Sequence, residues 1–327
     1  MKKLEYAKIL YPKSEITITV PNRIHMFTYR ASFNVEGKTG GAGISIKGNQ
    51  IMNVRTMDIQ YYNDNPLLDY FISVFKRILK YDGFFKVDYK NALEEHIGLG
   101  TSISQTVALC FAINHLFYNP LSDVEIRKLI MKEYREIDQG KLIRGLGTGV
   151  GAACSLYGGI NFVTNSQGYV HLTPSRKYAV AVFFPMDIHF RKRIKLEEEN
   201  TQKEISFRAD EESFQQRKEL IYESFIPALL SEDWNLLGRT TAEIHTMGVK
   251  KIECERFDYE YEIELINMLL EQGVLLAGLS SLGPVNYALV PWEKAEWLKD
   301  YLVNKKLATD ILFFDLCRHG IEILYER

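Results

Sequence analysis

Cysteine is scarce in this chain, and none of its four cysteines, Cys110, Cys154, Cys254 and Cys317, sits in a Cys-x-x-Cys pair. Without that spacing a structural zinc site has no signature, and buried reduced thiols are expected. No apolar run approaches the roughly 18 residues that a spanning helix needs. The opening stretch MKKLEYAKIL has no apolar core of signal-peptide length. By exclusion, a cytoplasmic location is expected. An excess of either charge is also missing: 40 Lys and Arg stand against 42 Asp and Glu, for a net charge of -2. The longest basic run, Phe190-Arg-Lys-Arg-Ile-Lys195, is followed at once by Glu197-Glu-Glu199. It reads as a solvated connection, so no nucleic-acid partner is expected. Repeats and low-complexity segments are absent as well.

What remains is ordinary globular composition, 46% hydrophobic and 25% charged over 327 residues, enough for two domains or one large one. Glu15-Ile-Thr-Ile-Thr-Val20 alternates as a strand does, and Ala42-Gly-Ile-Ser-Ile46 reads as another. Asn65-Pro66 predicts a helix start, with apolar residues at helical spacing from Leu68 to Leu79 and a stop at Gly83. After a short strand at Phe84-Phe-Lys-Val-Asp88, the stretch from Gln105 to Phe117 is apolar nearly all round, which predicts a buried helix. Ser122-Asp-Val-Glu125 has the form of a capping box, and Gly140 is the expected end of its helix. Residues 164–177 are polar without a period, so a boundary is placed there, giving domains 1–170 and 171–327. Beyond it come a strand at 178–184, helices near 214–230, 234–247 and 259–272, a strand at 285–290, a helix from Trp292, and a final strand near 311–314. Strands mixed with helix pairs in each half predict an α+β protein of two domains sharing a cleft.

Four segments carry candidate chemistry. Gly98-Leu-Gly-Thr-Ser102 directly precedes the buried helix, where free backbone amides and the helix dipole favour an anion. Leu99 and the two glycines let the backbone approach phosphate oxygens, and Thr101 or Ser102 can donate a hydroxyl. No Gly-Lys-Ser/Thr follows, so this is not a Walker loop; the plain alternative is a capped glycine turn. Arg144-Gly-Leu-Gly-Thr-Gly-Val-Gly151 has four alternating glycines, each costly to order, and Arg144 is able to clamp an anion bidentately. Its alternative is a flexible surface loop. Leu279-Ser-Ser-Leu-Gly-Pro284 offers two hydroxyls at a strand end, or an ordinary hairpin turn. In Pro21-Asn-Arg-Ile-His25, Arg23 and His25 share a face if the strand continues. Arg23 suits an anion, and His25 suits acid–base work or a place in the core. Asp138 and His245 read as surface or helix-face residues, with metal or cleft roles as the alternative.

The order of these segments resembles the GHMP kinase superfamily, which includes mevalonate, homoserine and galactose kinases. The matching stretches are Pro21-Asn-Arg23, Gly98 to Ser102, Gly149 to Gly159 with its Tyr157-Gly-Gly159, and Gly278 to Leu289. The resemblance implies an N-terminal domain like part of ribosomal protein S5 and a ferredoxin-like C-terminal domain. Mevalonate-type kinases carry a catalytic Asp some residues before Tyr-Gly-Gly, and the equivalent position here is Gly151. Their late Gly-Ala-Gly-x-Gly-Gly is replaced by Gly278-Leu-Ser-Ser-Leu-Gly-Pro284. Both departures are similar to one branch, the β-ribofuranosylaminobenzene 5′-phosphate synthases, which read Arg-Arg-Ser-Gly-Ile-Gly in the middle and Ser-Ser-Trp-Gly-Pro late. Leu282 stands where that branch has Trp.

That branch implies condensation of phosphoribosyl pyrophosphate with 4-aminobenzoate or a similar aromatic acid, releasing CO2 and pyrophosphate. It implies phosphate binding by Gly98, Leu99, Gly100, Thr101 and Ser102 and by Gly147, Thr148, Gly149 and Gly151. Mg²⁺ would sit near Ser102. Arg23, His25 and Arg144 would be catalytic, and Ser280, Ser281 and Gly283 would contact substrate. A homodimer is in keeping with the resemblance. The alternatives are an ATP-dependent small-molecule kinase and a catalytically silent protein that binds a phosphosugar or nucleotide.

Overall fold

A computed structural model describes residues 12–31, 39–93, 97–138, 140–164, 168–185 and 196–327. The opening decapeptide and the basic run at 190–195 lie outside the described residues. Strands β1 (Glu15–Arg30) and β2 (Gly40–Met57) pair antiparallel over most of their length, from Glu15 opposite Arg55 to Arg30 opposite Gly40. In β1 the alternation of Ile16, Ile18 and Val20 puts one face in the core, and the strand then continues through Pro21, Arg23 and His25, with shifts of register against β2 between Val20 and Asn22 and between His25 and Phe27. Both strands run well past the short segments that their alternation alone predicts.

Helix α1 (Pro66–Leu79) starts as its sequence predicts, with Asn65 Oδ1 accepting from the Leu67 and Leu68 amides and Pro66 in the first turn. It ends at Lys80 in the left-handed conformation rather than at Gly83. Phe71 and Phe75 on its inner face are fully buried, each worth about 1.5–3 kcal/mol against exposure. β3 (Phe84–Lys90) pairs with β2. Helix α2 (Thr101–Leu116) buries thirteen of its sixteen residues, which makes it the central helix that its all-round apolar pattern predicts. α3 (Asp123–Glu133) opens on the full Ser122/Glu125 capping box. Gly140 does not end it: Tyr134 turns extended, and the chain forms the hairpin β4 (Arg135–Asp138) and β5 (Lys141–Arg144), with Gly140 at φ +77° in its turn.

Helix α4 (Val150–Tyr157) leads to β6 (Ile160–Val163) and β7 (Tyr169–Leu172), the latter within a segment that has no readable period. β8 (Tyr178–Pro185) starts a second sheet. Then come α5 (Leu196–Leu220), a π-helical turn at Ile221–Phe225, and α6 (Ile226–Ser231). α7 (Trp234–His245), α8 (Gly248–Glu255) and α9 (Tyr259–Glu271) follow, with β9 (Leu276–Leu279) and β10 (Asn286–Pro291) next. After α10 (Ala295–Asn304) and β11 (Ala308–Asp315), the chain adds β12 (Glu322–Glu326), beyond the expected last strand.

The first sheet has the order β12-β1-β2-β6-β7 with β3 also on β2, and the second has the order β11-β8-β10-β9. β8 is buried on both faces. Val180 and Val182 share a core with Ile24, Phe27 and Ile44 of the first sheet, while Ala179, Ala181 and Phe183 pack under α9 and α10. That shared core, which also takes in Leu99 just before α2 and Val285, fixes β1 and the start of α2 against the β9–β10 turn of the second half. Cys110, Cys154 and Cys254 are buried free thiols, and Cys317 is half-buried. Among the described residues, no helix is long and apolar enough to cross a membrane.

Candidate active site

The N-terminus of α2 carries the clearest chemistry. Gly100 caps it in the left-handed conformation (φ 66°, ψ 33°), and no side chain supplies a capping hydrogen bond. The first-turn amides of an α-helix have no partner within the helix, and the dipole adds about half a positive charge at that end. Arg23 lies directly against this cap. A Cβ built on Gly100 would stand 2.8 Å from Arg23 Cγ and 2.9 Å from its Nε, so only glycine admits the side chain. Arg23 Nη1 donates to the Gly98 carbonyl at 3.1 Å, and its backbone amide to the Leu99 carbonyl at 3.2 Å. Its Nε is buried without a hydrogen-bond partner. Burial lowers the Arg23 pKa from the usual guanidinium value, while Tyr134, Cys154, Glu136 and Glu253 act in the opposite sense. A cation over the positive end of a helix is a stack of like signs, and an anion between them would relieve it.

A cleft of about 40 Å³ opens beside Arg23, bordered by Ile103 of α2, Met131 and Tyr134 at the end of α3, and the loop at residues 146–149. By the usual allowance per water this holds about three molecules, which suits a single phosphate group. The loop glycines have packing reasons as well. Gly147 lies on the Met131 backbone, and Gly149 (φ 78°) lies on the Met131 sulfur and caps α4. Gly151 touches α2: its Cβ would stand 2.7 Å from two carbons of Ile103. A catalytic carboxylate at 151 is therefore missing from the sequence, and the space for one is taken.

The late turn is clipped to this site by Ser280. Its hydroxyl donates to the Gly98 carbonyl at 2.8 Å and accepts from the His25 amide at 3.1 Å. The Ser281 amide donates to the His25 carbonyl at 3.0 Å. Beneath the turn, the buried Lys250 of α8 donates to the carbonyls of Leu279 at 2.6 Å and Ser281 at 3.1 Å, with the Glu253 carboxylate at 2.8 Å. Gly283 (φ 75°) is in contact with the Phe257 ring. His25 is buried with Nδ1 unpartnered, and burial, then Arg23 and Lys250, holds its pKa well below the usual imidazole value. His245 is buried against Gly278, bonds the Thr241 carbonyl at 2.8 Å, and is pushed down to about 3 by burial and by Lys250. Both imidazoles are neutral at ordinary pH.

The structure thus brings together Arg23, His25, residues 98–102, Gly147, Thr148, Gly149, Gly151, Ser280, Ser281 and Gly283. Thr101 is buried and Ser102 half-buried in the first turn of α2. Arg144 stands apart: it ends β5 opposite Arg135, is exposed, and does not line the cleft. Asp138 is on β4 of the same hairpin. Lys250, Met131 and Ile103 carry no local sequence signal, since each matters only through what it packs against. Among the described residues, no group of three or more His, Cys, Asp or Glu side chains is placed to hold a metal ion. Magnesium characteristically keeps waters and substrate phosphates as ligands. An ion arriving with phosphate oxygens would find the half-buried Ser102 hydroxyl in the first turn of α2.

The whole chain superposes on solved enzymes. Homoserine kinase from Cytophaga hutchinsonii matches at 17% identity with a TM-score of 0.62, over 95% of this chain and 98% of that one. Mevalonate diphosphate decarboxylase from Staphylococcus aureus matches at 16% and 0.65, over 98% and 100%. The Enterococcus faecalis decarboxylase matches at 14% and 0.64, over 96% and 100%. This is the GHMP-kinase fold. No protein-family model and no curated protein sequence matches the chain. At these identities the likeness establishes the fold of the two domains; the reaction has to be argued from the site.

Proposed function

We propose that the protein is an ATP-dependent phosphotransferase acting on a hydroxyl of a small molecule, with the nucleotide's phosphates seated on the first turn of α2. The observation that carries this reading is Arg23, whose buried and unpartnered Nε lies over an uncapped helix N-terminus. The fold relatives support it: one is a homoserine kinase, and a mevalonate diphosphate decarboxylase is described in complex with an ATP analogue and magnesium. In the proposed reaction the alcohol oxygen attacks the γ-phosphorus, the bond from that phosphorus to the ADP oxygen breaks, and the alcohol proton is released. Arg23 and the first-turn amides would stabilise charge on the phosphate oxygens, and the 147–149 loop would close the far side. Magnesium, when bound with the nucleotide, supplies further charge neutralisation. Gly151 offers no general base, but phosphoryl transfer passes through a loose transition state and depends chiefly on positioning and electrostatics.

A second reading is favoured by the sequence Ser280-Ser-Leu-Gly-Pro284 together with Gly151: decarboxylative phosphoribosyl transfer to an aromatic acid. It would use the same anion seat for pyrophosphate. Against it, the Ser280 hydroxyl is already engaged by Gly98 and His25, so the serine has a structural role that needs no substrate. One experiment separates the two. Protein with Mg-ATP and a panel of small alcohols, including homoserine and mevalonate derivatives, should release ADP in an alcohol-dependent way. Pyrophosphate and CO2 from phosphoribosyl pyrophosphate and 4-aminobenzoate, with no ADP from any alcohol, would overturn the kinase reading.

A further inference from the structure

A second cavity, of about 190 Å³, lies at the other end of α4 from the phosphate cleft. Lys47 of β2, the segment from Asp315 to Gly320, and Glu322 of β12 line it, along with the Thr19–Pro21 stretch of β1. Its wall is held by backbone contacts. The Gly159 amide donates to the Cys317 carbonyl at 2.6 Å, and the Cys317 amide to the Ser45 carbonyl at 2.9 Å. Gly158 has no space for a side chain against the His319 backbone, nor Gly320 against the Leu156 carbonyl.

The lining carries both signs of charge. Lys47 and Arg318 are cationic, Asp315 and Glu322 anionic. Among the described residues, the side chains of Lys47, Arg318 and Glu322 have no hydrogen-bond or ion-pair partner, and Asp315 accepts only the Trp292 indole N–H at 2.8 Å. All four side chains are exposed, and among the described residues none of them pairs with another; the contacts above hold the 317–320 backbone from which Arg318 extends. Lys47, Glu322 and Asp315 all act on the Cys317 thiol, which places the two signs around one point, and burial pushes that thiol up to about 11, so it adds no charge of its own.

We infer that this cavity binds a small zwitterion, an α-amino acid or a close relative with one primary ammonium and one carboxylate. Arg318 and Lys47 take the carboxylate, with the guanidinium able to do so bidentately, and Asp315 and Glu322 take the ammonium. A ligand bearing both charges meets both signs of the lining at once, whereas a singly charged one meets only one of them. Lys47 and Arg318 are exposed, so screening by water keeps the affinity modest.

The test is calorimetric titration of the full chain with individual α-amino acids, with acetate and methylamine as single-charge controls. At least one amino acid should give saturable heat, with both controls much weaker. Arg318→Ala and Glu322→Gln should each weaken it about two- to fivefold, the loss expected for one exposed charged contact. Arg23→Met should leave it unchanged. Nucleotide binding measured on the same samples should persist in Arg318→Ala, so failure here is separable from failure of the phosphotransferase reading. No heat with any amino acid at millimolar concentration would overturn the inference. So would equal binding by the Arg318 and Glu322 variants, or equal binding of the single-charge controls.

Discussion

Replacing Gly100 with alanine tests the candidate site most directly, because the structure separates two costs at that position. The first is backbone strain. Gly100 sits at φ 66°, where a Cβ costs about 1–2 kcal/mol. The second is collision, since the new methyl would stand 2.8–2.9 Å from Arg23 Cγ and Nε. Arg23 would have to swing off the cap, taking with it the 3.1 Å bond to the Gly98 carbonyl. Displaced from the cap, the guanidinium would lose its proposed contact with the phosphate, a charged hydrogen bond worth about 1.5–3 kcal/mol, so nucleotide affinity should fall roughly 10- to 100-fold. Gly140→Ala is the matched control: it has the same left-handed backbone at φ +77°, with nothing within 4 Å of the added Cβ. Urea unfolding should show both variants losing about 1–2 kcal/mol to strain, with Gly100→Ala losing more. Calorimetry with Mg-ATP should show weakened binding in Gly100→Ala alone. Unchanged nucleotide affinity in Gly100→Ala would refute the placement of the anion beside Arg23.

Three further outcomes follow from the same contacts. Gly151→Ala gains helix propensity but meets Ile103 at 2.7 Å, so overpacking should leave it about 1–3 kcal/mol less stable in urea melts, and combining it with Ile103→Ala should cost less than the sum of the two single losses. Ser280→Ala strands the His25 amide and one acceptor bond at Gly98, and should lower stability by about 1–3 kcal/mol while raising KM for the phosphorylated substrate. His245 is held at about 3 against an ordinary 6.5, so the unfolded chain binds a proton that the native state refuses between those values. Stability should therefore fall as pH drops through that window, with a slope of up to about 1.4 kcal/mol per pH unit from this residue. His245→Gln should flatten the urea midpoint's dependence on pH; an unchanged profile would show that His245 is protonated without cost.

Several elements were legible because their signals are local. The Asn65-Pro66 start, the Ser122/Glu125 box and the all-round apolar run of α2 each state their own structure. The glycine-flanked start of α2 was legible for the same reason, and it is there that the anion seat is proposed. The misses share a different cause. β7 and β12 carry little periodicity and exist because a partner edge is waiting for them. Gly140 looked like a helix stop because a turn glycine in a hairpin and a C-terminal glycine are alike in sequence. Arg144 looked like a clamp by its place beside the glycine loop, yet pairing with β4 carries it away from the cleft.

The sequence by itself determined where a helix start lies open, because backbone freedom at glycine and amide exposure at a helix start are properties of a few neighbouring positions. Only the tertiary structure decided what faces them. It tied Arg23 to Gly98 from 75 residues away and set Ser280 on Gly98 across 182. It also filled the space at Gly151 with Ile103 and kept four charges apart around one cavity. Contacts of that kind depend on how two sheets share a core, and no window along the chain contains that information.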